Sequence, residues 1–184
     1  MRRLILMRHA KSDWSQPGLV DKDRPLNARG TAAAPRMAEW LEDWLDKHRN
    51  VDMEDSPLVD RILSSTAVRT RETLGLMQEI WGPKVEPRIE WHDNLYLAEP
   101  RVIWDTYRKA SKEHPDEDCL LVLGHNPGME ILISGLAGED LHVPTAAIAI
   151  FQSQSNAPIG ELVPEIESNR WELLAFQTPR RLSA

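Results

Sequence analysis

Short apolar runs that end in polar residues dominate the hydrophobic pattern of the chain. In residues 4–10 an uninterrupted apolar run reaches Arg8 and His9 near its end, as in a buried strand with polar groups at its carboxyl end. Open α/β sheets place their functional sites at that end. Apolar runs of this size predict six strands: residues 4–10, 58–63, 85–91, 119–123, 146–151 and 171–176.

Apolar residues at intervals of three and four lie between several of these runs and predict amphipathic helices. The first helix follows Asn27 or Thr31 as its N-cap. Its apolar face, expected in the core, is formed by Met37, Trp40, Leu41, Trp44 and Leu45. The second helix follows hydroxyl residues 64–66 as caps and ends at Gly82-Pro83. Two more helices are predicted over residues 102–113 and 129–136.

The alternation of strands and helices predicts a three-layer α/β/α sandwich with a mostly parallel central sheet. The last two strands are joined by a polar linker over residues 153–169 instead of a helix, so we expect a hairpin and one antiparallel strand. The most apolar strand, residues 119–123, suits the centre of the sheet. With 184 residues, the chain suits a single domain over residues 1–184. Periodicity does not give the strand order.

Composition limits the classes of function. Apolar residues make up 41% and charged residues 28% of the chain, as in ordinary globular proteins. The net charge of −7 argues against nucleic-acid binding and gives no reason to expect a membrane surface as partner. No apolar run is long enough to span a bilayer, and we expect a cytoplasmic protein. The lone Cys119 is expected in the core.

The polar segment over residues 11–27 is a predicted loop above the carboxyl end of the first strand. Loops of this length without structure of their own are usually functional. Arg24 and Lys11 within it are candidates for the rim of a site, although a solvated loop accounts for them equally well.

Three strand-to-helix turns are predicted to bring Arg8, His9, Arg69 and His125 to one end of the sheet. Because like charges repel when they are brought together out of water, such a cluster indicates a bound anion. A phosphoryl group carries about two negative charges and three acceptor oxygens, which match the planar fork of arginine. Arg69 falls in the first turn of a helix, where an anion is also favoured.

A histidine among arginines has a lowered pKa and keeps a nitrogen lone pair at neutral pH. Such a histidine could attack phosphorus and form a phosphohistidine enzyme that water then hydrolyses. A second, protonated histidine could stabilise the transferring oxygens. The same cluster also fits a non-catalytic phosphate-binding module. His9 and His125 have no metal-binding pattern near them, so neither metal nor cofactor is predicted.

Three motifs together carry a family resemblance: Met7-Arg8-His9-Ala10, residues 65–73 (STAVRTRET) and Gly124-His125-Asn126-Pro127. In order and at strand ends, they resemble the defining motifs of the histidine phosphatase superfamily, which has the phosphoglycerate-mutase-like fold. Residues 23–30 (DRPLNARG), residues 144–149 (PTAAIA) and the short chain resemble the small SixA-type phosphohistidine phosphatases. The likeness extends over nearly the whole chain.

This resemblance implies a metal-independent phosphatase that acts on a phosphohistidine-bearing protein, such as a phosphorelay or phosphotransfer protein. It implies that His9 is the nucleophile and that Arg8, Arg69 and His125 form the phosphate pocket. Asn126 and Arg24 are further candidates for substrate binding. The alternative is a small-molecule phosphomonoesterase of the same superfamily. The resemblance does not give the oligomeric state.

Two departures from the family pattern stand out. Ala10 stands where the motif often has glycine, which is tolerated if φ is negative. No residue matches the acid that many members use to protonate the leaving group. The candidates, which a solvated loop explains at least as well, are Glu99, Asp93 and Asp13. A protonated imidazole leaves more easily than an alkoxide, so a missing acid fits a phosphohistidine substrate.

Little sequence between Gly82 and Glu117 is left over for a lid above the site. An open site suits a phosphorylated residue on another protein. We expect the remaining histidines on the surface, and these are His48, His92, His114 and His142.

Overall fold

The computed structural model describes residues 2–48, 57–82, 88–154 and 170–182. Its strands are β1 (Arg3–Arg8), β2 (Arg61–Ser65), β3 (Arg88–His92), β4 (Cys119–Gly124), β5 (Ile148–Ser153) and β6 (Trp171–Gln177). Its helices are α1 (Ala28–Lys47), α2 (Val68–Trp81), α3 (Pro100–Glu113) and α4 (Gly128–Ala137). Short 3-10 helices cover Asp21–Asp23 and Asp93–Leu95.

The six strands form one sheet in the order β3-β2-β4-β1-β5-β6. The four strands β1, β2, β3 and β4 pair with one another in parallel. Strand β5 is antiparallel to both of its neighbours, β1 and β6. The prediction of a mostly parallel sheet with one antiparallel strand is therefore confirmed. The apolar strand β4 lies beside β1 at the centre, as its composition predicted. Arg8 pairs with Gly124 across these two strands, so the residues that follow each strand emerge side by side.

Each face of the sheet is covered by a pair of helices. Along β1, Leu4 and Leu6 point into the core under α3 and α4, whereas Ile5 and Met7 point into the core under α1 and α2. Successive side chains of a strand alternate between faces, so a fully apolar strand supplies both cores at once. The predicted three-layer sandwich is confirmed.

Helix α1 begins where Asn27 accepts a hydrogen bond from the backbone N–H of Gly30 at 3.0 Å, which makes Asn27 the N-cap. Its predicted apolar face is confirmed, because Met37, Leu41 and Leu45 are buried. Trp40 and Trp44 are only partly buried against this core.

The predicted boundaries of β2 are wrong. Leu58 and Val59 are buried but precede the strand, and Ser64 and Ser65 are not helix caps because they belong to β2. Parallel pairing with β3 and β4 extends the strand to these residues. Ala67 is the N-cap of α2 and makes no side-chain cap hydrogen bond. The helix ends as predicted, with Gly82 as its C-cap at φ 57°.

Other boundaries differ from the predictions by one or two residues. Helix α3 begins at Pro100, where the fixed ring of proline suits the first helical position. The predicted start of the third strand and most of the polar linker, residues 155–169, lie outside the described residues. No helix in the described ranges is long and apolar enough to cross a bilayer. Cys119 is buried, as expected.

Gly30 lies in the first turn of α1, against the backbone of Lys11. Lys11 is the first residue of the loop over residues 11–27. The N–H of Asn27 donates to the Lys11 carbonyl at 2.9 Å, which brings the start of α1 against the backbone of Lys11. A Cβ at position 30 would overlap that carbonyl oxygen.

We expect Gly30→Ala to lower the free energy of unfolding by about 1–3 kcal/mol, because the loop must move to relieve the overlap. Gly75→Ala is the matched control, since Gly75 lies inside α2 with nothing within 4 Å of an added Cβ. That control should stabilise the protein by roughly 0.5–1 kcal/mol. Urea unfolding measures both changes, and equal effects at the two glycines would contradict the close packing at Lys11.

Candidate active site

The carboxyl ends of β1, β2 and β4 meet at one edge of the sheet and bring the predicted site residues together. His9 follows β1, His125 follows β4, and Arg69 is the second residue of α2, which follows β2. The ring centroids of His9 and His125 are 4.9 Å apart. The Nε of Arg69 donates a hydrogen bond to Nε2 of His9 at 3.2 Å. Three segments that are distant in sequence therefore share one pocket.

His9 is held in a single orientation by its own backbone and ring contacts. Its N–H donates to the Gly124 carbonyl at 3.1 Å, and its carbonyl accepts from the N–H of Ala146 at 3.0 Å. Its Nδ1 lies 2.7 Å from the Ala10 carbonyl oxygen. Because a carbonyl only accepts, Nδ1 carries the proton and Nε2 keeps its lone pair. That lone pair accepts the hydrogen bond from Nε of Arg69.

Burial and positive neighbours keep this imidazole neutral. His9 is 6% exposed, and burial lowers the pKa of His9 to about 3, with further lowering by the charges of Arg69, Arg8 and Arg24. The hydrogen bond to Ala10 opposes the shift. A lowered pKa was predicted from the arginines, but burial is the larger cause.

His125 is buried, at 1% exposure. Its Nε2 is 2.8 Å from the Ser65 hydroxyl. Burial, followed by His9 and Arg69, lowers the pKa of His125 to about 2. The expectation of a protonated second histidine is therefore wrong for the protein surroundings alone. A phosphoryl dianion beside the ring would raise this pKa.

The arginines lie around the two rings. Arg8 donates to the Val143 carbonyl at 2.8 Å, and burial lowers its pKa. Arg24 is buried, donates to the Ser12 hydroxyl at 2.9 Å and lies 3.3 Å from the centre of the Trp14 ring. Arg24, which was predicted to lie on the rim, is therefore held in place by its contacts with Ser12 and Trp14.

Several buried polar atoms of these residues have no hydrogen-bond partner within the described part of the chain. They are Nε of Arg8, Nε and NH1 of Arg24, Nδ1 of His125 and Oδ1 of Asn126. A buried donor without an acceptor costs roughly 1–3 kcal/mol. A ligand with several acceptor oxygens would satisfy the arginine donors. The side-chain amide of Asn126 is braced by Glu130 at 3.2 Å and by the Val143 carbonyl at 3.1 Å.

Asp21 is a pocket residue that sequence reasoning missed. Its backbone carbonyl accepts from NH1 of Arg69 at 2.6 Å and its carboxylate from NH2 at 3.0 Å. Tyr96, also missed, donates its hydroxyl to the same carboxylate at 2.6 Å. The carboxylate lies 3.1 Å from Nε of Arg24. The available signal was an acidic 3-10 turn three residues before Arg24 inside a loop predicted to be functional.

The three candidate acids lie in other surroundings. Asp93 is exposed and holds Lys22 at 2.7 Å and the Thr66 hydroxyl, and these contacts lower its pKa. Asp13 is partly exposed, and hydrogen bonds from Ser15 lower its pKa. Glu99 is an exposed residue at the N-terminus of α3. A lowered pKa does not suit a proton donor, so none of these contacts favours a general acid.

Other expectations concern the surroundings of the site. Ala10 is buried and is not among the residues with positive φ, so its replacement of glycine is tolerated as predicted. His48 and His142 are exposed, while His92 and His114 are partly buried beside Glu90. In the described ranges, no group of three or more His, Cys, Asp or Glu side chains could hold a metal ion.

The family model described as the histidine phosphatase superfamily, branch 1, matches residues 4–96. The chain belongs to the histidine phosphatase superfamily. It is 33% identical over 162 residues to an uncharacterized chloroplastic protein of Arabidopsis thaliana, covering 85% of this chain and 68% of that protein. An uncharacterized protein of Mycobacterium tuberculosis is 28% identical over 185 residues, which cover 95% of this chain and 100% of that protein.

One solved structure places this superfamily member more narrowly, and a second shares its fold. A protein assigned as the phosphohistidine phosphatase SixA of Agrobacterium tumefaciens is 29% identical, with a TM-score of 0.71 and coverage of 97% of this chain and 98% of that one. A protein histidine phosphatase SixA complexed with tungstate has the same TM-score at 19% identity, with 98% and 99% covered, and this second likeness shows the fold alone. The chain is a SixA-type phosphatase with the phosphoglycerate-mutase-like fold.

The buried neutral histidines predict how stability depends on pH. An unfolded histidine titrates near 6.5, well above the folded values of about 3 for His9 and about 2 for His125. Protons therefore bind the unfolded chain more tightly, and stability falls as the pH drops below about 6.5. Between pH 7.5 and 5.5, each of the two histidines should lower the free energy of unfolding by roughly 1 kcal/mol.

His9→Gln removes one of these titrations and should reduce the loss between the two pH values by roughly 1 kcal/mol. Urea unfolding at pH 7.5 and 5.5 measures the difference. A native-like loss in His9→Gln would show that His9 is not buried in its neutral form.

Proposed function

We propose that this phosphatase removes the phosphoryl group from phosphohistidine on another protein, through a covalent phosphohistidine on its own His9. The observation that carries the proposal is the fixed tautomer of His9. Nδ1 donates to the Ala10 carbonyl, which leaves the Nε2 lone pair facing Arg69 in the cationic pocket. A neutral, oriented imidazole beside arginines is an activated nucleophile for phosphorus.

In the first step, the phosphoryl oxygens take over the Nε–H of Arg69 from Nε2 of His9. The freed lone pair of Nε2 attacks phosphorus while the bond from phosphorus to the substrate nitrogen breaks. The far nitrogen of the substrate ring is protonated by solvent before attack, so the ring takes back the electron pair of the broken bond and leaves as neutral imidazole. Arg8, Arg69 and His125 surround the phosphoryl oxygens and stabilise their charge, which is the main catalytic requirement of phosphoryl transfer. Asn126 and Arg24 complete the pocket.

In the second step, water attacks phosphorus and the bond to Nε2 breaks. The electron pair returns to Nε2, inorganic phosphate leaves with the oxygen and one proton of the water, and the second proton passes to solvent. The hydrogen bond from Nδ1 to Ala10 persists through both steps, so His9 returns to the same tautomer.

The leaving group favours phosphohistidine over an ester. The carboxylates with shifted pKa values around the site, Asp21, Asp93 and Asp13, are all shifted downward, so they are ionised near neutral pH. An alkoxide needs an acid to leave well, whereas an imidazole can bring its own proton. The SixA likeness supports the same choice.

The described residues after β3, which supply no lid above the site, also support a protein substrate. Residues 88–113 form β3, a 3-10 helix and α3, and α3 packs Trp104 and Tyr107 into the core instead of covering the site. The partner we propose is a phosphohistidine-bearing protein. A cytoplasmic location and a single domain over residues 1–184 belong to the same proposal.

His9→Ala should lower turnover of a phosphohistidine protein at least about a thousand-fold and abolish the acid-labile phosphoenzyme. The matched control is His142→Ala, at an exposed histidine, which should keep native turnover. Release of inorganic phosphate, measured with chelator present, reports both variants.

Two other outcomes of this assay would contradict the proposal. Ester turnover far above phosphohistidine turnover would indicate a small-molecule phosphomonoesterase. A native chain without turnover, whose phosphate affinity survives in His9→Ala, would indicate a phosphate-binding module.

A further inference from the structure

Asp21 is joined to the proposed nucleophile through a single guanidinium. Nε of Arg69 donates to Nε2 of His9, while NH1 and NH2 of the same group donate to Asp21. The carboxylate therefore lies one guanidinium away from the attacking nitrogen. Two of the candidate acids are held by other partners: Asp93 by Lys22, and Asp13 by Ser15.

The burial of these residues separates the floor of the pocket from its mouth. His125 and His9 are 1% and 6% exposed, whereas the Asp21 side chain is 42% exposed. A phosphoryl group attacked from His9 has its leaving group on the opposite side of phosphorus. Because His9 lies at the floor, the leaving group lies toward the mouth, where Asp21 is.

Asp21 is ionised in its surroundings and can only accept hydrogen bonds. Burial alone would raise its pKa, but Tyr96, Arg69 and Arg24 outweigh burial, and the pKa is lowered. The charge of Asp21 also acts on His125, whose pKa it raises against the larger lowering effects. Lys22 lies over the Tyr96 ring. Oδ2 accepts from both Arg69 and Tyr96, while Oδ1 contacts Nε of Arg24 in a poorly aligned ion pair. Oδ1 thus retains capacity for a further donor.

We propose that Asp21 accepts a hydrogen bond from the protonated far nitrogen of the substrate's phosphohistidine ring and so makes the site selective for phosphohistidine over phosphate esters. This inference rests on the proposed function. Three arginines in the pocket disfavour a cationic ring, and the carboxylate offsets them at the position of the leaving group. An ester oxygen has no proton to offer Asp21.

The proton in this step comes from solvent before attack, when the far nitrogen of the substrate ring is protonated. The phosphorus–nitrogen bond then breaks as the bond to His9 forms. The electron pair neutralises the ring, and the far N–H remains on the departing imidazole. Asp21 neither gains nor loses a proton, so no further acid is needed.

Asp21→Asn tests this role, because it removes the charge and keeps the shape. The probes are N-phosphoimidazole and p-nitrophenyl phosphate, with the full chain at pH 8 and pH 6. At pH 8 the ratio of phosphoimidazole to ester turnover should fall about tenfold or more, as for a lost charge-assisted hydrogen bond. At pH 6 the ratio in Asp21→Asn should fall less far below the native ratio. An imidazole nitrogen that titrates near 6.5 is then largely protonated by solvent.

Two further variants sharpen the result. Asp23→Asn, at an exposed carboxylate in the same 3-10 helix, should keep the native ratio. Asp21→Glu keeps the negative charge and should restore most of the ratio. In rapid-quench experiments, Asp21→Asn should slow phosphoenzyme formation from N-phosphoimidazole more than phosphoenzyme hydrolysis, because the second step has no imidazole of the substrate to expel.

An equal fall for both probes in Asp21→Asn would overturn the inference and leave Asp21 as a support for Arg69. Faster turnover of both probes would also overturn it, since Asp21 would then compete with the phosphoryl group for Arg69. If the turnover ratio fell as far in Asp21→Glu as in Asp21→Asn, the negative charge would have no role in the selectivity. A native chain that hydrolyses neither N-phosphoimidazole nor a phosphohistidine peptide would instead refute the proposed function itself.

Discussion

The contact between Arg69 and His9 joins residues that are 60 positions apart in the chain. It requires the end of β1, the start of α2 and the end of β4 to meet within one small volume. The parallel register of β1 on β4, with Arg8 opposite Gly124, fixes His9 next to His125. A shift of one residue in this register would turn the site residues to the other face of the sheet.

Residues outside the pocket hold this geometry in place. The Thr73 hydroxyl accepts from the N–H of Ala10 at 3.0 Å and donates to the Arg69 carbonyl at 2.6 Å, linking the backbones that carry both partners. Ala146 donates to the carbonyls of Arg8 and His9 from a backbone with φ 63°. A non-glycine residue in this region costs roughly 1–3 kcal/mol. The surrounding packing therefore maintains a strained turn beside the nucleophile.

The sequence predicted what local patterns determine. Apolar runs placed the central strands, and polar residues at their ends indicated Arg8, His9, Arg69 and His125. Asp21 was missed because its importance comes from contacts with Arg69 and Tyr96, which are 48 and 75 residues away. The start of β2 was misplaced because Leu58 and Val59 are as apolar as a strand, and only pairing with β3 and β4 decides where the ladder begins.

The charge distribution explains how an acidic chain can hold a cationic pocket. Arg8, Arg24 and Arg69 are concentrated around two neutral rings, and Asp21 offsets part of their charge. A phosphoryl dianion meets this positive site locally, while the net charge of −7 repels free anions at longer range. Such a field opposes rebinding of released phosphate. The same electrostatic balance therefore favours release of the product.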